Sequence, residues 1–168
     1  TVKKSDLKDN RNAYEDQLLA RLHLCTPNGV RLTVLADRGF ADQKLYAALQ
    51  TAGISFVIRF RECIVVENSS GVAQRAGEWV RPKGRVRLIE NARVTHDRAQ
   101  VPAVVCVKQK GMKDAWCLAT NRTDLTATEI MKLYGKRFTI EESFRDTKDL
   151  RFGHGLSATH IGKTERRD

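Results

Sequence analysis

Three consecutive segments limit the fold most. Leu32-Thr-Val-Leu-Ala36 is a short, almost continuous apolar run, the pattern of a strand buried on both faces. Asp42 to Ala52 carries Leu45, Tyr46 and Leu49 at helical spacing, and Gly53 supplies a C-terminal stop. Ile54 to Phe60 is apolar again and reads as a second core strand. Strand, helix and strand in that order predict a βαβ unit with parallel pairing. The chain has 168 residues, enough for one domain with a core or for part of a larger one.

The flanking segments are less regular. Tyr14, Leu18, Leu19 and Leu22 recur at helical spacing and predict a helix over residues 12–25, which Pro27-Asn28-Gly29 ends. From Glu62 to Asp114 the texture turns β-rich. Ile64 to Val66, Val86 to Ile89 and Val101 to Lys108 are strand-like, and Asn68-Ser-Ser-Gly71, Pro82-Lys-Gly84 and Lys110-Gly-Met-Lys113 separate or close them as turns. An antiparallel insertion is expected there. Ala115 to Thr120 reads as one more strand. Thr126-Ala-Thr-Glu129 is a capping box, and the helix it opens is expected to run to about residue 150 with Gly135 as a weak spot. The last residues, 153–168, are polar and glycine-bearing and read as loop.

Cys63, Cys106 and Cys117 sit in apolar runs and are expected to be small buried residues; Cys25 stands apart, and no spacing among the four fits a zinc site. Trp79 reads as core of the insertion. No apolar stretch approaches the roughly 20 residues that span a bilayer, and the first residues, Thr-Val-Lys-Lys-Ser-Asp, lack an apolar targeting segment. With no initiator methionine, the chain reads as an excised or truncated segment. Lys and Arg number 30 against 20 Asp and Glu, a formal charge of +10. That excess favours a polyanionic partner through long-range attraction and counterion release.

The chemistry concentrates near the C-terminal end. Tyr134, Arg137, Glu141 and Lys148 are spaced by three, four and seven residues. On one continuous helix of about 3.6 residues per turn those steps line up on one face, and Arg145 joins them. A single carboxylate then stands among cations and a phenol, which suits holding a metal beside a phosphate. Glu142 points about 100° away and is the adjacent competitor.

This Tyr-x2-Arg-x3-Glu-x6-Lys spacing closely resembles the signature of the bacterial DDE transposases of the insertion-sequence-four group. A second match lies upstream, where Leu32-Thr-Val-Leu-Ala-Asp37-Arg38-Gly39-Phe40 resembles the segment around that family's second catalytic aspartate. The resemblance spans about residues 12–155, loosely in the middle. It implies an α/β fold: a partial RNase H-like catalytic core with a β-rich insertion between the second aspartate and the glutamate helix. It divides the chain into 1–60 and 115–152 as core, 61–114 as insertion and 153–168 as tail. It implies that Asp37 and Glu141 are catalytic and ligate Mg2+ or Mn2+. It makes Tyr134, Arg137, Lys148, Arg145, Arg59 and Trp116 DNA contacts, with Trp116 stacking on a flipped base. The implied partners are double-stranded DNA at transposon ends and target DNA, bound by a homodimer in the bacterial cytoplasm at the nucleoid, with no membrane.

The types of residue fit that chemistry. Magnesium and manganese prefer oxygen ligands. Arginine offers a bidentate fork, lysine a point charge and tyrosine a neutral donor. Each residue also has a plainer reading. Asp-Arg-Gly is ordinary turn chemistry. Glu141 has Arg137 and Arg145 at i±4. Arg59 can be a strand-end cation in solvent, and a tryptophan in Ala-Trp-Cys-Leu can be core. The family's first aspartate has no counterpart here: Asp6, Asp9 and Asp16 lie in a polar, helix-like stretch, and the three antiparallel strands expected before residue 12 are absent. The fragment alone is therefore expected to cut DNA poorly or not at all. Two other functions stay open, a non-catalytic basic nucleic-acid-binding module and an RNase H-like nuclease without strand transfer.

Overall fold

The computed structural model describes residues 13, 17–19, 21, 22, 24–27 and 29–149. It separates into two compact units, residues 31–137 and the described part of 1–30 with 138–168.

The first unit is built on a seven-stranded sheet. Its elements are β1 (Thr33–Ala36), α1 (Gln43–Thr51), β2 (Ser55–Phe60), β3 (Val65–Glu67), β4 (Ala73–Arg75), β5 (Arg87–Val94), β6 (Ala99–Val107), β7 (Trp116–Thr120) and α2 (Ala127–Gly135). The order across the sheet is β1-β2-β7-β6-β5-β3-β4. β1 and β2 pair in parallel, Ala36 opposite Ile58, as the βαβ reading expects. The other neighbours are antiparallel. The strands of the β-rich segment thus continue the same sheet through β7.

Asp42 caps α1 by accepting from the Lys44 N–H. Its far end closes on Gly53 at φ 67°, where the Ile54 N–H reaches Leu49 O and the Gly53 N–H reaches Gln50 O. That double closure is the Schellman arrangement, and it needs the left-handed backbone that glycine adopts without a Cβ clash.

Strand parity sorts the two faces. Successive side chains in a strand point to opposite sides. Tyr46 of α1 stacks on Phe56, ring centroids 5.7 Å apart. The next residue, Val57, belongs instead to a core cluster with Val105, Leu118, Ile130 and Tyr134. α1 and α2 therefore cover opposite faces. Burial on both sides explains why β2, β6 and β7 are mostly apolar.

Polar side chains extend the ladder beyond the strands. Asn121 accepts from the Phe56 N–H at 2.9 Å and donates to Ile54 O at 3.0 Å. Thr120 donates to Phe56 O. Arg122 holds Asp124 with two hydrogen bonds and Thr33 with a third, tying β1 to the loop before α2.

Four expectations change. The helix opened by Thr126 is not continuous. The capping box forms, but α2 ends at Gly135, Lys136 and Arg137 make a turn, and α3 (Phe138–Lys148) starts afresh in the second unit. The Lys136 and Arg137 N–H groups reach back three residues, to Leu133 and Tyr134, and the low helix propensity of glycine makes this the place to yield. Cys63 is exposed, because it lies in the turn that the Ile64 N–H closes on Arg61 O; Cys106 and Cys117 are buried opposite each other on β6 and β7, as expected. β6 begins at Ala99 and includes Pro102, where the pairing with β5 passes from Ala103 to Val101 because proline has no N–H to give. β4 carries no strand pattern in its Ala-Gln-Arg sequence and exists only as the partner of β3. Trp79 is buried as expected, its indole N–H donating to Val66 O.

Of the helix expected over 12–25, the described residues are helical; Tyr14 and His23 lie outside the described residues. So do Asp6, Asp9, Asp16 and the tail.

Candidate functional site

Asp37 follows β1 directly. Its carbonyl accepts from the Phe40 N–H, and its carboxylate Oδ1 accepts from the Gly39 N–H at 2.8 Å. This is the turn geometry its sequence predicts. Among the described residues Oδ2 has no hydrogen-bond or ion-pair partner.

The register shows what faces this turn. Leu35 lies opposite Val57, Arg59 opposite Leu118, and Leu118 opposite Val105. By parity Asp37, Arg59 and Trp116 belong to that same side, the one that α2 covers. Tyr134 of α2 is fully buried there. Trp116 meets it edge-on, and the Arg137 guanidinium carbon lies 5.9 Å from its ring centroid. The Tyr134 hydroxyl is sealed from solvent and has no partner of hydrogen-bond geometry among the described residues. Burial pushes its pKa up, Arg137 and then Arg59 pull it down, and Asp37 pushes it up again. A phenol, two guanidinium groups and a carboxylate thus lie within electrostatic reach of one another.

Arg59 is mostly buried. It donates to Ala115 O at 3.1 Å and lies 3.6 Å from the Asp114 carboxylate; its Nε is buried without a hydrogen-bond partner. Arg38 approaches Asp114 at 3.9 Å. Sequence reasoning missed Asp114. No local spacing links it to Arg59, although it is the first acid after the run from Arg98 to Lys113. Trp116 packs against the Val57 cluster, so its core reading has a physical basis.

The remaining candidates lie in α3 of the second unit. Glu141 occupies the first turn, where the helix dipole favours an acid. Glu141, Phe144, Arg145 and Asp149 line one open concavity. Lys148 ends the helix, and its side chain lies outside the described residues. Helical spacing within α3 still aligns Glu141 with Arg145, whereas Arg137 lies in the turn beyond α2.

Asp37 and Glu141 are donors of the hard-oxygen type that Mg2+ and Mn2+ prefer. Among the described residues no group of three or more His, Cys, Asp or Glu gathers as a metal-holding set. No helix among them is long and apolar enough to cross a membrane.

Asp37 thus leaves the C-terminal end of a parallel strand in a mixed α/β sheet, the place where such sheets present ligand-binding loops. The family described as Transposase DDE domain matches residues 4–164, and the chain belongs to that family. Its α/β sheet is a partial RNase H-like core with a β-rich insertion before the glutamate helix. The family is one of polynucleotidyl-transferase-type enzymes whose partner is DNA. Comparison with curated proteins gives no significant match.

Proposed function

We propose that this chain is catalytic sequence of an insertion-sequence transposase of the insertion-sequence-four group. In this reading it cleaves DNA at element ends and joins the 3′-hydroxyls to target DNA. The observation that carries the reading is that the Asp37 turn, Arg59 and Tyr134, with Arg137 over the Tyr134 ring, lie on one side of the sheet.

Asp37 and Glu141 would hold Mg2+ or Mn2+. Such an ion, when bound, activates the attacking water and stabilises the leaving oxygen. Arg137 and Tyr134 offer the scissile strand a charged fork and a neutral donor, with Arg145 and Lys148 adding charge from α3. Arg59, on the same side of the sheet as Tyr134, offers a further guanidinium. Trp116 offers a π-face on which a displaced base can stack. Residues 61–114 act as the insertion between core segments 1–60 and 115–152, with 153–168 as tail. The working assembly is a homodimer on DNA in the bacterial cytoplasm, at the nucleoid.

The test uses the protein that carries this chain and a plasmid bearing the element's ends. Glu141→Ala is expected to abolish Mg2+-dependent cleavage while end binding in a gel-shift assay persists; persistent cleavage contradicts the assignment. Joined products separate transposition from nuclease action alone. The excess of basic residues, 30 Lys and Arg against 20 Asp and Glu, also suits a non-catalytic nucleic-acid-binding module. That alternative predicts binding that salt weakens and metal leaves unchanged.

A further inference from the structure

We infer that the two loops at residues 79–87 and 108–113 form one basic surface that grips the backbone of a DNA duplex beside the Asp37 turn. This rests on the reading of the chain as a DNA-acting enzyme and adds a contact outside the residues assigned above.

The sequence is lopsided in both loops. Arg81, Lys83, Arg85 and Arg87 follow one another at every second residue, with no acid between Glu78 and Glu90. Lys108, Lys110 and Lys113 come from a stretch with no acid between Asp97 and Asp114.

The fold brings the two loops together. Arg87 opens β5 opposite Cys106, next to the end of β6. The loops touch: a Cβ on Gly84 would lie 3.3 Å from Gln109 Cα. Arg87 is held by stacking on the Trp79 ring, 4.4 Å from its centroid. No salt bridge engages any of the seven cations among the described residues. All except Arg87 are exposed.

The register sets the location. Ala36, Phe60, Trp116, Val107 and Arg87 end or begin their strands at the same edge of the sheet. The second loop runs into Asp114, whose carboxylate approaches Arg38 at 3.9 Å, one residue past Asp37. Seven cations without a salt bridge, at the end of the sheet that carries the candidate catalytic turn, complement a polyphosphate, and their distribution over two loops suits an extended backbone rather than a single phosphate.

Two variants of equal charge test this. Arg85→Gln with Lys110→Gln alters the surface; Lys44→Gln with Lys132→Gln removes two exposed cations from the helices. Affinity for a labelled random-sequence duplex is measured by fluorescence anisotropy across a salt series. The loop variant is expected to lower the slope of log K against log salt by about two, and affinity by about tenfold or more near 0.1 M salt, while the helix variant changes either little. Equal effects of the two variants overturn the surface, since only net charge would then matter. So does wild-type binding that the loop variant leaves intact. A loop variant that loses single-stranded RNA binding but keeps duplex binding overturns the choice of partner. If the wild-type chain shows no affinity for duplex at any salt, the enzymatic reading falls and the surface falls with it.

Discussion

Trp116 and Tyr134 meet edge to face, ring centroids 5.0 Å apart and planes inclined by 76°. The contact joins the first residue of β7 to the last turn of α2, and the Arg137 guanidinium carbon lies 5.9 Å from the Tyr134 ring centroid. Packing alone accounts for both rings, but not for a phenol oxygen sealed without a described partner.

Tyr134→Phe should therefore separate stability from function. Removing an unsatisfied buried hydroxyl is expected to leave stability unchanged or raise it by about 1 kcal/mol, whereas Tyr134→Ala should cost about 3–5 kcal/mol through the cavity. Urea denaturation reads both. In the cleavage assay Tyr134→Phe should slow turnover if the hydroxyl donates to a phosphate. A loss of about 2 kcal/mol in Tyr134→Phe would show that the hydroxyl already has a structural partner.

Asn121 carries more of the fold than its place in a loop implies. Its amide spans Phe56 N–H and Ile54 O at the start of β2. Asn121→Ala orphans both backbone groups and is expected to cost about 1–3 kcal/mol. Hydrogen exchange at Phe56 should accelerate in the same variant. Unchanged protection there would contradict the assignment.

Acid sensitivity should trace in part to Asp124. Hydrogen bonds from Arg122 hold its carboxyl down at about 2, with Arg31 assisting at 2.7 Å. An unfolded aspartate titrates near about 3.9. The folded value is the lower one, so this contribution is fully present above about pH 4 and disappears as pH falls toward about 2. Between about pH 5 and about pH 2.5 the wild type should lose more stability than Asp124→Asn, read as urea midpoints. Parallel losses in the two proteins would remove Asp124 from the account.

The βαβ unit was readable because burial on both faces writes a continuous apolar run, and because a left-handed helix stop writes a glycine. The start of α2 was readable through its capping box. Its end was not: helical spacing carries on through Lys136 and Arg137, and Gly135 is a weak signal against it. β4 left no trace, since a three-residue edge strand is made by its neighbour. At the site, Asp37 was visible as the polar end of an apolar strand, whereas only the register of the folded sheet places Arg59 and Trp116 on its side. Asp114 was invisible, because its contact with Arg59 spans 55 residues and has no local period.

The proposed function requires Asp37 and Glu141 to share one cation. Mn2+ binding to the chain, followed by the loss of the free-ion signal in electron paramagnetic resonance, tests this without requiring catalysis. Asp37→Asn and Glu141→Gln should each weaken binding about tenfold or more, and the double variant should bind scarcely worse than either single one, because ligands of a single site are coupled. Independent, multiplying losses, or a Glu141→Gln protein that binds Mn2+ like the wild type, would contradict it.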